Sequence, residues 1–185
     1  MKCKRLFNFE IIGVFIIFAI GSLWHSLYNL SNENIIVGLI APINESMWEH
    51  WKLGLYPILI YSAVEYAFVK KEANNFIFSK FICIVVFEIV CFSITGLWSI
   101  FFKDLGATTE MIVDIVAYLL GILIGQTVSY IIACITLPNK KLKYIGVVGI
   151  LLHIIVFTIF TFKPPMQEYF KDEKTGEYGI YKMKD

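Results

Sequence analysis

The chain has 185 residues, of which 58% are hydrophobic and only 17% charged, with a formal net charge of +1 at pH 7. One soluble core of this size cannot bury so much apolar surface, so the composition excludes a soluble globular protein and indicates an integral membrane protein whose main partner is the lipid bilayer. The small net charge gives no reason to expect a nucleic-acid partner.

Apolar runs of about 20 residues, the length that crosses a bilayer as a helix, recur along the chain. They predict an all-α polytopic membrane helix bundle with five transmembrane helices, at about 9–28, 46–68, 76–102, 109–137 and 142–162. The apolar segment 34–42 is too short to cross, which favours a re-entrant or interfacial position. We therefore expect one transmembrane domain over 1–162 and an extracytoplasmic C-terminal tail over 163–185.

Orientation follows from the basic residues near the helix ends, because these stay on the cytoplasmic side. The first apolar run is too long for a signal peptide and lacks a small-residue cleavage pattern, so it is predicted to be a retained helix. Basic residues gather in three alternating segments: Lys2, Lys4 and Arg5; Lys70, Lys71 and Lys80; Lys140, Lys141 and Lys143. The pattern predicts a multi-pass protein of the cell membrane with a cytoplasmic N-terminus and an extracytoplasmic C-terminus.

The cysteines predict no disulfide framework. In this orientation Cys3 faces the reducing cytosol, and Cys83, Cys91 and Cys134 fall inside predicted helices. Disulfides are rare in reducing compartments, and Cys83 and Cys91, eight positions apart on one helix, are about 12 Å apart along its axis, too far for a bridge.

Charged and polar side chains concentrate where the second helix begins, between Asn44 and Lys52. Ser46 and Glu49 have the spacing of a capping box, which satisfies backbone N–H groups at a helix start. Capping leaves His50 unexplained and uses only one of the two acids, since Glu45 has no part in it. Both interpretations, a helix cap and a functional site, stay open for this stretch.

Other predicted helices carry ionisable residues at compatible depth. His25 lies near the outer end of the first helix and Asp114 near the outer start of the fourth, while Glu88 and His153 lie near mid-depth of the third and fifth. A charge at the bilayer centre costs about 2.5–3.5 kcal/mol on insertion scales and usually faces the protein interior. Each residue alone has a structural explanation: either histidine could bond a neighbouring backbone group, Asp114 could follow the preference for acids at a helix start, and Glu88 could be protonated and paired with a hydroxyl. Together they predict an outward-facing polar pocket.

Two further patterns concern helix packing and the inner half of the bundle. Gly121-x-x-x-Gly125 predicts close packing of the fourth helix against a neighbour. Glu10 and Glu65 lie nearer the inner surface, so we expect them to be interface residues.

The pocket residues allow metal chemistry or acid–base chemistry. His25, His50 and His153 are the candidate ligands of a divalent metal such as zinc, with Glu49 or Asp114 as the catalytic base. Residues assigned to a substrate or ion pathway are Glu45, Ser46, Glu88 and Lys52. The favoured hypothesis is a metal-dependent hydrolase or transferase acting on a lipid-like substrate.

Two alternatives remain open. A small ion- or proton-coupled transporter, or a solute-binding membrane subunit, would use Glu45, Glu49, Asp114 and Glu88 to hold a cation or proton. A structural or regulatory membrane subunit would use the same polar groups only to cap helices.

The string Asn44-Glu45-Ser46-x-Trp48-Glu49-His50, with Ser22-Leu23-x-His25 upstream, resembles an uncharacterised family of small bacterial multispanning membrane proteins. The tail is similar to that family at Phe162-x-Pro164-Pro165 and at Gly176-x-Tyr178-Gly179-Ile180. The resemblance implies a membrane location and no established activity. Relatives often have a histidine after the proline pair, where this chain has Met166, so that position is not expected to be an essential ligand. The tail itself is predicted to cap the outer pocket, with a disordered end as the alternative.

Overall fold

The computed structural model describes residues 3–102 and 106–180; Lys2, used in the orientation prediction, lies outside them. Within these ranges the chain is helical and has no strand beyond one isolated bridge, which confirms the all-α fold class. The long helices are α1 (Lys4–Trp24), α5 (Lys52–Val69), α6 (Phe76–Phe101), α7 (Ala107–Ile135) and α8 (Lys140–Phe162).

Four of these helices are long and apolar enough to cross a membrane, namely α1, α6, α7 and α8. The described residues therefore indicate a helical membrane protein. The remaining long helix, α5, has 18 residues, contains Pro57 and carries two charged side chains, Lys52 and Glu65. It is not among the four, so the fifth crossing, the division into domains and the orientation of the termini stay predictions.

Between α1 and α5 the chain forms three short helices, α2 (Leu27–Leu30), α3 (Ile35–Gly38) and α4 (Met47–His50). The predicted short apolar segment contains α3, whose end folds back onto the start of α5: the carbonyl of Leu39 accepts a hydrogen bond from the Tyr56 hydroxyl at 2.9 Å. Ser46 is the N-cap of α4 and its hydroxyl accepts the Glu49 N–H at 3.3 Å, which confirms one half of the predicted capping box. The other half is not formed, because the Ser46 N–H donates to Asn44 Oδ1 at 3.0 Å in place of the Glu49 carboxylate.

The bundle is organised around α6. It packs most extensively on α7, and α8 packs on its other side, while α1 contacts both α5 and α7. Gly121 and Gly125 lie directly against Phe87 and Cys83 of α6, which confirms the predicted close packing at this pair.

A disulfide joins Cys3 to Cys134, with the two Cα atoms 6.1 Å apart. The prediction of no disulfide framework was wrong for this pair, because sequence spacing does not show that the start of α1 meets the end of α7. Cys83 and Cys91 are free and buried. Disulfides are rare in the cytosol, so this bond favours an extracytoplasmic position for Cys3. The basic residues near the helix ends predict the opposite, a cytoplasmic N-terminus.

Three charged residues expected at the inner surface lie inside the bundle instead. The Lys80 ammonium is 2.8 Å from a Glu10 carboxylate oxygen and 2.7 Å from one of Glu65, and all three residues are buried. The interface prediction for the two glutamates was wrong, because α1, α5 and α6 converge around them.

The C-terminal tail folds back over the end of the bundle that carries α4. A short 3-10 helix (Glu168–Phe170) places the Phe170 ring 4.9 Å from the Trp48 ring, measured between centroids. Further along, the Ile180 N–H donates to the Thr161 carbonyl at 2.9 Å. The described part of the tail is therefore packed against the bundle, as the predicted cap requires.

Candidate functional site

Two imidazoles and one carboxylate converge at the end of the bundle below the tail. His25 follows the last residue of α1, His50 is the last residue of α4, and Glu45 lies in the loop that leads into α4. The two histidine Nε2 atoms are 3.1 Å apart. Each of them is 3.4 Å from the Oε2 atom of Glu45.

This triangle has the dimensions of a metal-ligand set. Tetrahedral zinc, with bonds of about 2.0–2.1 Å to nitrogen and oxygen, holds its ligand atoms about 3.3–3.4 Å apart. The observed edges are 3.1, 3.4 and 3.4 Å, so a point about 1.9 Å from all three atoms exists in their plane, and an ion slightly above it reaches the bond length. The three residues thus fit a divalent cation and leave a fourth position for water or substrate.

Neighbouring groups orient the His50 imidazole and the Glu45 carboxylate of this cluster. His50 Nδ1 lies 2.9 Å from the Ser46 carbonyl. In the neutral tautomer that donates its Nδ1–H there, Nε2 has the lone pair that binds a metal, whereas in the imidazolium form both nitrogens donate, Nδ1 to Ser46 and Nε2 to Glu45. On the carboxylate, Lys174 of the tail donates to Glu45 Oε1 at 2.7 Å, which leaves Oε2 for the two histidines. The Glu45 backbone N–H also donates to Asp172 Oδ1 at 3.2 Å.

The same contacts favour the charged form of Glu45. Hydrogen bonds from His25 and His50 hold the pKa of the Glu45 carboxyl well below its usual range; partial burial opposes this shift and Lys174 adds to it. In return, the bond to Glu45 raises the pKa of the exposed Lys174 ammonium. At neutral pH Glu45 is therefore an anion, the form in which a carboxylate binds a metal.

A cavity of about 560 Å³ adjoins the cluster, and all three cluster residues line it. Its walls are largely apolar, with Phe18, Leu53, Phe87 and Ile115 among the lining side chains. Asp114 lines the same cavity and is close enough to His50 to interact with it electrostatically. Volumes of this order hold small organic ligands, with few polar groups fixing their orientation.

Glu49 and Lys52, predicted as a base and a pathway residue, do not line this cavity. They form a buried ion pair of 2.7 Å, and Glu49 also accepts the Ile43 N–H at 3.0 Å. Lys52 Nζ donates to the Gly38 carbonyl and to the Thr161 hydroxyl, both at 2.7 Å. Successive residues on a helix point about 100° apart, so His50 faces the cavity while Glu49 turns towards Lys52.

His153 is not part of the cluster either. Its Nε2 atom lies 3.1 Å from Glu88 Oε2, and its Nδ1 atom lies 3.0 Å from the Gly149 carbonyl. The structure thus pairs His153 with Glu88 between α8 and α6, and the expected set of three histidines is not assembled. Glu45, expected in a pathway, is the third member of the cluster with His25 and His50.

Three charged residues that line the cavity were not predicted from the sequence: Glu110, Glu173 and Lys174. Glu110 lies one helical turn before Asp114, so i, i+4 spacing could have placed the two on one face. Lys174 is 129 residues from Glu45 along the chain, and no local pattern reports such a contact.

The fold and the cluster together describe a helical membrane protein with a polar site at one end of its bundle. The chain belongs to a family of unknown function, DUF6512, whose family model matches residues 1–180. No curated protein and no solved structure gives a significant match. Membership agrees with the resemblance to an uncharacterised family and assigns no activity; bacterial origin and the motif as a family signature stay predictions.

Proposed function

We propose that this protein is a membrane-embedded, metal-dependent hydrolase in which His25, Glu45 and His50 hold one divalent cation, zinc in the first instance. The observation that carries the proposal is the triangle of donor atoms with edges of 3.1, 3.4 and 3.4 Å. Its support is the His50 tautomer favoured by Ser46, the ionised state of Glu45, and the adjoining cavity.

The chemistry divides between the metal and the chain. Zinc held by His25, Glu45 and His50 would polarise a carbonyl group and make water acidic enough to attack near neutral pH. Asp114, which lines the same cavity, accepts the proton as general base and returns it to the leaving group. If an alcohol took the place of water, the same residues would catalyse a transferase reaction. The two activities differ only in the molecule that receives the transferred acyl group.

The cavity indicates the class of substrate. Its apolar walls suit the hydrocarbon part of an amphiphile, and the cluster places the reacting group at one edge. Four carboxylates, Glu45, Glu110, Asp114 and Glu173, line the cavity together with the Lys174 ammonium. The four carboxylates, one ammonium and one divalent cation together carry one net negative charge. This charge disfavours a head group with several negative charges. An uncharged or cationic lipid-like ester or amide is the substrate we propose.

Metal content tests this proposal. Protein purified in detergent is treated with a mild chelator, reloaded with zinc and measured by elemental analysis, alongside His50→Ala and the control His153→Ala. The expected result is about one zinc per chain in the wild type and in His153→Ala, and loss of that zinc in His50→Ala. A wild type that does not bind zinc, or zinc retained by His50→Ala, would contradict the metal centre.

Activity is tested with the same proteins. A set of neutral and cationic amphiphilic esters and amides in mixed micelles supplies the substrates. Asp114→Asn is expected to keep its zinc but to lose a factor of about 10²–10⁴ in rate, the usual contribution of a general base. Unchanged turnover in Asp114→Asn would show that Asp114 is not the general base. It would not contradict the metal centre.

Transport is the second candidate function, and the pairing of Glu88 with His153 inside the bundle favours it. Ionisable pairs at membrane depth commonly lie on ion or proton pathways. Proteoliposomes test it: a substrate-driven proton flux lost in Glu88→Gln, in a protein that binds no zinc, would establish transport in place of hydrolysis. Zinc-dependent hydrolysis that is unaffected in Glu88→Gln would exclude it.

A further inference from the structure

A second polar cluster lies inside the bundle, formed by α1, α5, α6 and α7. Lys80 Nζ is its centre, 2.8 Å from Glu10 Oε2, 2.7 Å from Glu65 Oε2 and 3.2 Å from Gln126 Oε1. The Ser129 hydroxyl donates to the other Glu10 oxygen at 2.8 Å. All five residues are at most 3% exposed, so water does not screen their charges.

This cluster is separate from the candidate metal centre. Its residues do not line the 560 Å³ cavity. Glu10 precedes His25 by 15 positions on α1, which is about 22 Å along a helix at 1.5 Å per residue. What this cluster does is therefore independent of the proposed hydrolase.

The charges of the cluster do not balance if every group is ionised. Two carboxylates, Glu10 and Glu65, surround one ammonium, Lys80, which leaves one net negative charge in a buried place. A buried charge without a partner costs several kcal/mol, and proteins usually avoid the cost by changing the protonation of the group. One of the two glutamates is therefore expected to bind a proton.

Hydrogen bonding decides which glutamate it is. Both carboxylate oxygens of Glu10 have donors, Lys80 on one and Ser129 on the other. Glu65 Oε2 forms an ion pair with Lys80 at 2.7 Å, but both carboxylate oxygens of Glu65 are buried and neither has a hydrogen-bond partner among the described residues. Glu65 is thus the poorer site for a full negative charge and the better site for a proton.

We propose that this cluster is a proton-binding site in which Glu65 carries one exchangeable proton. In the loaded form Glu65 is a neutral carboxylic acid and Lys80 pairs with Glu10. On release the O–H bond breaks, a water molecule accepts the proton, and the new carboxylate shares Lys80 with Glu10. No oxidant or reductant takes part in this step.

The groups that face Glu65 from the surrounding helices are consistent with this exchange. The charged groups beside Glu65 are Glu10 on α1 and Lys80 on α6, whose ammonium contacts both carboxylates. Tyr61 on α5 donates its hydroxyl to the Phe9 carbonyl at 2.6 Å. Cys83 on α6 donates to the amide oxygen of Gln126, which lies on α7, at 3.4 Å. A proton at this place gives the protein a proton-dependent state that the metal centre does not supply.

Infrared spectroscopy tests the proposal, because a protonated carboxylic acid has a carbonyl stretching band that a carboxylate lacks. Wild-type protein at pH 7 is compared with Glu65→Gln and with Glu88→Gln, the control variant at a partly buried carboxyl on α6. The expected result is a band in the wild type and in Glu88→Gln that Glu65→Gln loses. Glu65→Asp should shift this band without removing it, which serves if Glu65→Gln does not fold.

Three further variants define the assignment. Lys80→Met removes the ammonium, so both glutamates should become protonated and the band should grow about twofold. Glu10→Gln should remove the band, because Glu65 is then free to ionise against Lys80, and Glu65→Gln/Lys80→Met should restore a single band from Glu10. A wild type without the band, or a band that is unchanged in Glu65→Gln, would overturn the proposal.

Discussion

Replacing Lys52 by methionine tests whether the buried Glu49–Lys52 pair is structural, as its geometry indicates. Lys52 is 0% exposed, and its ammonium makes three contacts of 2.7 Å, to Glu49, Gly38 and Thr161. Methionine has a similar length, so the substitution removes the charge and the donors without opening a large cavity. Removing one partner of a buried ion pair costs about 3–5 kcal/mol, because the other charge is left buried without compensation.

The double variant Glu49→Gln/Lys52→Met separates the charge from the packing. Removing both charges should recover most of the stability, because a buried pair often contributes little compared with neutral groups of the same size. At roughly 2–4 °C per kcal/mol for a chain of this size, Lys52→Met should lower Tm by roughly 6–20 °C. Thermal unfolding in detergent, followed by circular dichroism, measures both variants.

A Lys52→Met variant with the Tm of the wild type would refute this reasoning. If that variant also lost activity, Lys52 would belong to a pathway after all. Retention of zinc by the stable double variant is the control, because neither residue lines the cavity.

Three further predictions concern the tail, the helix packing and the cysteines. Lys174→Met should weaken zinc binding about 10–100-fold, as loss of a group that orients a ligand does, with little change in Tm because Lys174 is exposed; competition with a chromophoric chelator measures the affinity, and Lys171→Met, which removes another tail lysine, should leave it unchanged. Gly21→Ala should cost about 1–3 kcal/mol, because a methyl group there meets the Tyr118 hydroxyl and the Leu53 carbonyl. Gly96→Ala has open space and should not destabilise the protein, so equal Tm values for the two alanine variants would contradict the packing. Maleimide labelling of the unfolded, unreduced protein should modify two thiols, since Cys3 and Cys134 are bonded to each other and Cys83 and Cys91 are free; four modified thiols would contradict the disulfide and remove its conflict with the predicted orientation.

The sequence predicts the long helices well, because length and continuous apolarity are local properties of the chain. The predicted helices at 76–102 and 142–162 agree closely with α6 and α8. It is less informative about Lys80, which looks like a basic residue near a helix end and in fact lies buried between two glutamates. A one-dimensional pattern gives the depth of a residue and not the direction in which it points.

The same limit explains the candidate site. His25 and His50 could be placed at compatible depth from helix spacing alone, and the structure puts their Nε2 atoms 3.1 Å apart. Whether His153 points towards them depends on the rotation of α8, which its sequence does not determine. The loop before α4 and the tail bring Glu45 to the histidines and Lys174 to Glu45, and these contacts join distant parts of the chain.

X-ray absorption at the zinc edge tests the central claim most directly, because it reports the atoms bound to the metal. We predict a four-coordinate zinc with ligand distances of about 2.0–2.1 Å and the scattering of two imidazole rings. His25→Ala should lose the scattering of one ring, and His153→Ala should leave the spectrum unchanged. A shell of oxygen atoms without imidazole scattering, or a spectrum that is the same in His25→Ala, would contradict the metal centre formed by His25, Glu45 and His50.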